Sequence, residues 1–431
     1  MMKGLARAKE KLINLVGFEG NKELGTGASD MSQLTLNSLG NPGDWSKWFC
    51  YRSFDPVSGI FQNKDDGIGF VLEALPLVGV DDKVIMNLQH FFDKEMPDKS
   101  FLQFTLIASH KVGHILNLWQ QGRAVDDPFL NKITKKRLEY MTSLAEDYGS
   151  SGLKIARNYR IIISFNSLHL SALQVINFKR QLCKKLDLLS LQPLTVSAQG
   201  LIDLTAEMMT QEANINQKGN ILNPLMPLSE QVFKSGTSLE IKEQEIKSAH
   251  GSTRTYGVVE YPEYWSLVDM IQLLGDRGEK GSPSSIPGRF IINFTVASDM
   301  PKGSSERLIS RGEQVRKTSE QFLARFDGNL KREAAEWAEV NDDLKEGRRV
   351  LSFNFTVSIT APYSVIEDAE RTLIDLYNMK GWELMRADKF HLPLQLAMMP
   401  MQASYYWQSL RFVKQRMISL SKKLVAKLPL H

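Results

Sequence analysis

His110 and His114 have the most suggestive spacing for metal chemistry in this sequence. Residues at i and i+4 share one face of a helix, where two imidazoles can bind one metal ion. Lys111, however, stands where a zinc protease with this pattern carries its glutamate, and the sequence offers no third ligand. We therefore interpret both histidines as packing or capping residues and predict no metal-binding residue.

Nucleotide chemistry would need a loop of the form G-x-x-x-x-G-K-[ST], in which backbone N–H groups surround the phosphates and a lysine reaches their terminal oxygens. The segment Gly275–Ser282 is rich in glycine but has the wrong spacing, and Gly25–Gly27 leads to Asp30 where a dinucleotide motif requires glycine. No serine or cysteine stands in a nucleophile motif such as G-x-S-x-G. We predict no catalytic and no cofactor-binding residue, and hence no enzymatic activity of this chain by itself.

The composition describes a folded protein of more than one domain. A chain of 431 residues exceeds what one hydrophobic core usually holds, and its 42% hydrophobic residues supply ample core material. The net charge of +4 is too small for a dedicated nucleic-acid binder. Cys50 and Cys183 lie far apart and are interpreted as reduced thiols, which favours a cytoplasmic location. No run reaches the roughly 18 apolar residues that span a bilayer.

The first residues have the pattern of a short amphipathic helix with a basic side. Apolar residues recur at helical spacing among positive charges, a combination that can rest on an anionic membrane surface. The candidate membrane-surface residues are Lys3, Arg7, Lys9, Lys11, Leu12 and Leu15. The alternative is a terminal helix that frays or packs on the core. A polar, glycine-rich linker is expected to complete the segment 1–44.

The first folded unit, residues 45–200, shows an order of strand, helix and strand that occurs twice. Strands are predicted at Gly67–Leu77, at Lys99–His110 and at Asn158–Asn166, and a helix with Asp81 or Asp82 near its start is predicted between the first two. A helical insertion at about 111–155 separates the second strand from the third. A helix from about 170 to 186 and a short strand near 195 follow. An irregular connection, 201–252, is expected to cross the surface.

The same order of strand, helix and strand returns in residues 253–390, and two segments of the two halves have similar sequences. Phe101–Ser109 and Phe290–Ser298 occupy equivalent positions in the two halves. We therefore predict an α+β fold of two ferredoxin-like, split β-α-β halves, each with helices inserted between its second and third strands.

The second insertion, about 304–347, is predicted to be a helical hairpin that turns at Asp327–Asn329. Its apolar residues recur at spacings of four and seven, which favours two antiparallel helices. Such a hairpin can bind a partner or a second copy, or its stripe can pack on its own domain. The candidate partner-binding residues are Leu308, Val315, Phe322, Phe326, Leu330, Trp337 and Leu344.

Residues 391–431 are rich in methionine and aromatic residues and then become basic. We expect a helical connector that leads to a further domain absent from this sequence. The basic residues also motivate an alternative function, a nucleic-acid-binding module that engages transferred DNA. They are Arg411, Lys414, Arg416, Lys422, Lys423 and Lys427.

Several elements resemble one known family. Trp48–Phe61, Gly69–Pro76, the Arg-Glu-Ala-Ala-Glu-Trp element that ends at Trp337, and Gly381–Leu384 resemble the N-terminal region of the F-type conjugative branch of the VirB-type type IV secretion ATPases. The likeness extends over about residues 45 to 431.

The resemblance implies a cytoplasmic component, peripheral to the bacterial inner membrane, that serves pilus assembly and transfer. Other secretion-system subunits and further copies of the chain are the implied partners, the inner membrane surface is a weaker one, and DNA is not favoured. ATP and Mg²⁺ are implied only for a C-terminal motor domain outside this sequence. The expected function is therefore docking and assembly.

Overall fold

The computed structural model describes residues 45–77, 79–121, 128–146, 155–210, 221–234, 237–262, 264–275, 285–300, 303–319, 328–412 and 415–431. Every structural statement below refers to these residues. The amphipathic N-terminal segment with Lys3, Arg7, Lys9, Lys11, Leu12 and Leu15 lies outside them, and so do Phe322 and Phe326 of the predicted hairpin.

Helices and antiparallel strands are mixed in this structure, which confirms the α+β class. The strands are β1 Tyr51–Asp55, β2 Ile60–Asn63, β3 Ile68–Ala74, β4 Ser100–Ser109, β5 Asn158–Ser167, β6 Leu194–Thr195, β7 Leu239–Ile241, β8 Ile246–Ser248, β9 Gly251–Glu260, β10 Arg289–Ala297, β11 Val350–Ala361, β12 Glu383–Arg386 and β13 Met417–Leu420. The α-helices are α1 Asp82–His90, α2 Gly113–Gln121, α3 Pro128–Glu146, α4 Ala172–Leu188, α5 Ala198–Met209, α6 Ser304–Ser319, α7 Gly328–Lys345, α8 Ile366–Met379, α9 His391–Met398, α10 Ala403–Phe412 and α11 Ser421–Leu424. A π-helical turn follows α1 at Phe91–Glu95, and short 3₁₀ helices lie at Trp45–Lys47, Lys64–Asp66, Leu228–Glu230, Val268–Leu274 and Val425–Lys427.

One sheet runs through both halves. Its order is β1-β2-β3-β5-β4-β10-β11-β9-β8-β7, with β6 beside β3, β12 beside β9 and β13 beside β11. The two segments of similar sequence, Phe101–Ser109 and Phe290–Ser298, lie side by side at the centre of the sheet. There β4 pairs antiparallel with β10, and Phe104 lies opposite Phe294. The strand order is β6-β3-β5-β4 in the first half and β12-β9-β11-β10 in the second.

The two faces of the sheet differ in chemistry because side chains alternate along each strand. Along β4, Leu102, Phe104 and Leu106 point into an apolar core that α1, α4 and α8 cover. The alternate side chains include Gln103 and Thr105, which are also buried. A second layer made from α5, α9 and α10 covers that face.

Local sequence explains where helices begin. The Asp81 carboxylate accepts a hydrogen bond from Val84 N at 2.8 Å, so it caps α1 as predicted. Ser171 and Gln174 form a capping box at the start of α4.

The second-half counterpart of α1 is shorter than predicted. The segment predicted to be a full helix, Glu263–Asp276, forms the 3₁₀ helix Val268–Leu274. The buried residues Leu267, Met270 and Leu273 recur every third position, which is the period of a 3₁₀ helix.

The predicted irregular connection, 201–252, contains regular structure. It holds most of α5 and the β7–β8 hairpin, which pairs with β9 and extends the sheet. Eight residues of α5 are buried, because this helix is part of the layer that covers the sheet face with Gln103 and Thr105, called the polar face below.

The described part of the segment 391–431, for which the sequence predicted a helical connector, packs into the core. All eight residues of α9 are buried against the polar face, where Gln103 Nε2 donates to Ala397 O at 2.9 Å. The basic segment does not form one continuous helix, because part of it forms β13, which pairs with β11. The chain then passes to the face of the sheet that carries the apolar core. There Leu424, Leu428 and Leu430 are buried in the apolar core.

Candidate docking surfaces

The hairpin of α6 and α7 uses its apolar stripe to hold itself on the sheet. Leu308, Val315, Trp337 and Leu344 are each at most 7% exposed. They form one cluster with Val350 of β11 and Leu420 of β13. These four predicted contact residues are therefore occupied within the chain. Leu330 lies in α7.

The two helices approach closely at Gly312. A Cβ atom at this position would lie 2.3 Å from Asn341 Nδ2, and Asn341 is buried. A side chain at position 312 would therefore have to displace the Asn341 amide, and glycine avoids this displacement. This contact fixes the relative position of α6 and α7.

A buried carboxylate anchors the base of the hairpin. Asp93 accepts a hydrogen bond from Arg348 Nη1 at 2.7 Å, from Arg349 N at 3.2 Å and from the Ser421 hydroxyl. Arg349 also donates to Ser298 Oγ at 2.6 Å, at the end of β10. These hydrogen bonds around Asp93, which we call the Asp93 joint, thus connect the first half, the hairpin and the C-terminal segment.

The first insertion has a comparable ionic base but differs in its helices. The hydroxyl of Ser109, the counterpart of Ser298, donates to Glu207, which lies 3.4 Å from Arg160 Nη1. Burial alone would raise the pKa of Glu207, but Arg160, Lys111 and Arg289 outweigh it and lower that pKa. On α2 and α3, however, several large apolar side chains are about half exposed or more.

Of the two histidines at helical spacing, His110 lies inside the fold, and the side chain of His114 lies outside the described residues. His110 is fully buried, and burial lowers its pKa to about 3, so the ring is neutral at physiological pH. Among the described residues, no group of three or more His, Cys, Asp or Glu side chains could hold a metal ion.

The residues around the glycine-rich segment do not fit a bound nucleotide. A phosphate-binding loop joins a strand to the start of a helix. Here the 3₁₀ helix Val268–Leu274 precedes the segment, and the next regular element described after it is the strand β10. No step of nucleotide chemistry can be assigned to these residues.

The four C-terminal basic residues whose side chains are described do not form one continuous charged stripe. The side chain of Arg416 is 6% exposed, pairs with Asp299 at 2.5 Å and lies over the Trp407 ring. Lys422 lies 3.6 Å from Asp343, and Lys427 Nζ donates to Lys423 O. The side chains of Arg411 and Lys414 lie outside the described residues. This arrangement does not favour the nucleic-acid alternative.

Fold and surfaces together define a mixed helix-and-sheet protein with two helical insertions at equivalent strands. The chain belongs to the TraC protein family, whose profile matches residues 45–403. It is 25% identical over 390 residues to Protein TraC of Escherichia coli (strain K12), over 83% of this chain and 43% of that relative. The chain thus spans less than half the length of the curated relative it matches. The family resemblance drawn from the sequence is confirmed.

No helix among the described residues is long and apolar enough to cross a membrane.

Proposed function

We propose that this chain is the docking and assembly part of a conjugative type IV secretion ATPase. It would mediate contacts between copies of the protein and with inner-membrane secretion and pilus-assembly components, from a cytoplasmic position peripheral to the inner membrane. The observation that carries the proposal is the α6–α7 hairpin, which packs its apolar stripe on β11 and β13. Family membership supports a role in conjugation.

We also propose that each half is a ferredoxin-like unit. The strand orders β6-β3-β5-β4 and β12-β9-β11-β10 support this description, because the split β-α-β arrangement places its fourth strand beside its first and its third between first and second. Each half then supplies a stiff platform from which helices project.

The outer surface of the hairpin would make the contact, since its apolar stripe is used internally. The exposed residues of α6 and α7 carry both signs of charge and include Glu306, Glu313, Gln314, Lys317, Glu339 and Lys345. A surface of this kind provides specificity through charge complementarity more than it provides affinity.

Charge reversal on this outer surface tests the proposal without disturbing the core. We expect Glu306→Lys combined with Glu313→Lys, placed in the full-length protein, to weaken its oligomerisation and to reduce conjugative transfer. Glu240→Lys combined with Glu243→Lys on the exposed β7–β8 hairpin is the matched control, because it makes the same charge change away from both helical insertions. Unchanged assembly and transfer in the hairpin variant would remove the hairpin from the proposal.

ATP hydrolysis is proposed to belong to a C-terminal domain that is not among these residues. The support is the lack of a phosphate-loop pattern anywhere in the 431 residues. Purified chain should show no ATP turnover with Mg²⁺. Turnover that survives repurification would contradict this division of labour.

A further inference from the structure

The helices α2 and α3 present an apolar surface that the rest of the described chain does not cover. Six large side chains are exposed by 45% to 69% of their surface. They are Ile115, Leu118, Phe129, Leu130, Ile133 and Tyr140. Grouped exposure of this kind marks an interaction site, whereas single exposed apolar residues are ordinary.

Three of the four large apolar residues exposed on α3 share one side of the helix. At 100° per residue, Phe129, Ile133 and Tyr140 fall within an arc of about 40°. The fully buried Ala145, which packs with Val112, lies on another side of the helix. The arc therefore lies on a different side of α3 from this buried contact.

Basic residues border this arc. Helix α3 contains four basic residues, Lys132, Lys135, Lys136 and Arg137, against two acidic ones, Glu139 and Glu146, and α2 contains no acidic residue. Lys132 and Lys136 are exposed beside the apolar arc, and the Arg137 guanidinium lies 5.4 Å from the centre of the Trp119 ring. Apolar and aromatic residues edged by lysines are typical of helices that lie in a membrane interface.

We propose that the α2–α3 surface binds an anionic lipid bilayer, with the apolar arc in the interface and Lys132 and Lys136 at the headgroups. The proposal rests on the proposed function, since it specifies how the docking part would lie at a membrane. Charge complementarity favours lipid over a second copy of the chain, because a two-fold contact through this surface would bring the same lysines together.

Vesicle co-sedimentation tests the proposal with the whole chain. We expect binding to vesicles of phosphatidylglycerol mixed with phosphatidylcholine, and little binding to phosphatidylcholine alone. Phe129→Ser combined with Ile133→Ser should lower the partition coefficient about tenfold or more, because two buried apolar side chains are lost from the interface. Lys132→Glu combined with Lys136→Glu should have an effect of similar size that salt diminishes.

Two controls make the result decisive. Val57→Ser combined with Leu194→Ser removes two other side chains that are 95% and 72% exposed, and it should leave lipid binding unchanged. Leu12→Ser combined with Leu15→Ser tests the N-terminal segment. If this variant abolishes binding while Phe129→Ser with Ile133→Ser has no effect, lipid contact does not involve α2–α3 and the proposal is wrong.

The oligomeric mass in solution, measured without lipid, tests the other possible occupant of the α2–α3 surface, which is a second copy of the chain. If Phe129→Ser with Ile133→Ser lowers the oligomeric mass in solution and leaves vesicle binding intact, the surface is an interface between copies, which overturns the lipid assignment. The hairpin reversal at Glu306 and Glu313 should leave vesicle binding unchanged. The variant at Phe129 and Ile133 therefore tests the lipid proposal, and the variant at Glu306 and Glu313 tests the docking proposal, so the two proposals can fail independently.

Discussion

The two helical insertions leave equivalent strands of the sheet, yet they use their apolar residues in opposite ways. Helices α6 and α7 bury Leu308 and Trp337, whereas α2 and α3 expose Ile133 and Tyr140. The difference lies in β13. This strand pairs with β11 at Val350–Phe353 and contributes Leu420 to the hairpin cluster. Among the described residues, the corresponding start of β5 has no such additional strand.

This comparison teaches that an amphipathic pattern does not reveal what its apolar side contacts. Both insertions carry helical apolar residues, and both begin at a serine bound to an ionic cluster. The second insertion belongs to a cluster of six buried apolar residues that includes Val350 and Leu420 of the sheet, whereas the first has a small cluster around Val112 and Ala145. The insertion with the smaller cluster is the one whose large apolar side chains are more exposed.

Truncation of the buried stripe should produce the largest effect. We expect Trp337→Ala to lower the free energy of unfolding by about 3–5 kcal/mol, because it leaves a cavity between the helices and the sheet. Ile133→Ala on the exposed arc should change it by less than about 0.5 kcal/mol. Urea unfolding followed by circular dichroism measures both, and equal losses would contradict the contrast between the insertions.

Removal of the carboxylate at the hairpin base should have the next largest effect. Asp93→Ala leaves the buried ends of Arg348 and Ser421 without their acceptor, at a cost of about 3 kcal/mol. Asp98→Ala is the matched control, since the Asp98 side chain is 87% exposed and also pairs with Arg349. It should cost less than about 1 kcal/mol. Equal urea midpoints for the two variants would show that the joint does not anchor the hairpin.

The base of the first insertion should respond to pH. At pH 7, Glu207→Gln should lower the free energy of unfolding by about 1–3 kcal/mol, because Arg160 loses a charged partner. The folded-state pKa of Glu207 is lowered, so its contribution is present above the unfolded pKa and is lost as pH falls through the folded value. The wild type and variant should therefore converge below about pH 4. A constant difference from pH 7 to pH 3 would be inconsistent with this ion pair.

The helix crossing should give the smallest of these effects. We expect Gly312→Ala to cost about 1 kcal/mol or less, because the added methyl group displaces the buried Asn341 side chain while the better helix propensity of alanine offsets part of that cost. Ser310→Ala, on the exposed side of the same helix, should be nearly neutral. Hydrogen exchange of α6 amides would locate the change. Unaltered protection in the glycine variant would mean that the crossing is looser than the structure shows.

Much of the fold could be predicted because local pattern is sufficient for it. Alternation in Phe101–Ser109 and Phe290–Ser298 predicted two strands, and Asp81 predicted the start of α1. The α6–α7 hairpin followed from apolar spacing. The exposure of the apolar arc on α3 could not be predicted from local sequence. The contact of Asp93 with Arg348 could not be predicted either, because these residues are 255 positions apart in the chain.

The sequence by itself determined the class of the protein, its duplication and its family, because each depends on residues that are close together in the chain. Only the tertiary structure decided that 391–431 belongs to the core, that β4 and β10 join the halves, and which insertion keeps its apolar residues exposed. These outcomes depend on which distant segments cover each face of the sheet, and the periodic apolar pattern of a segment indicates a buried side without indicating which segment covers it.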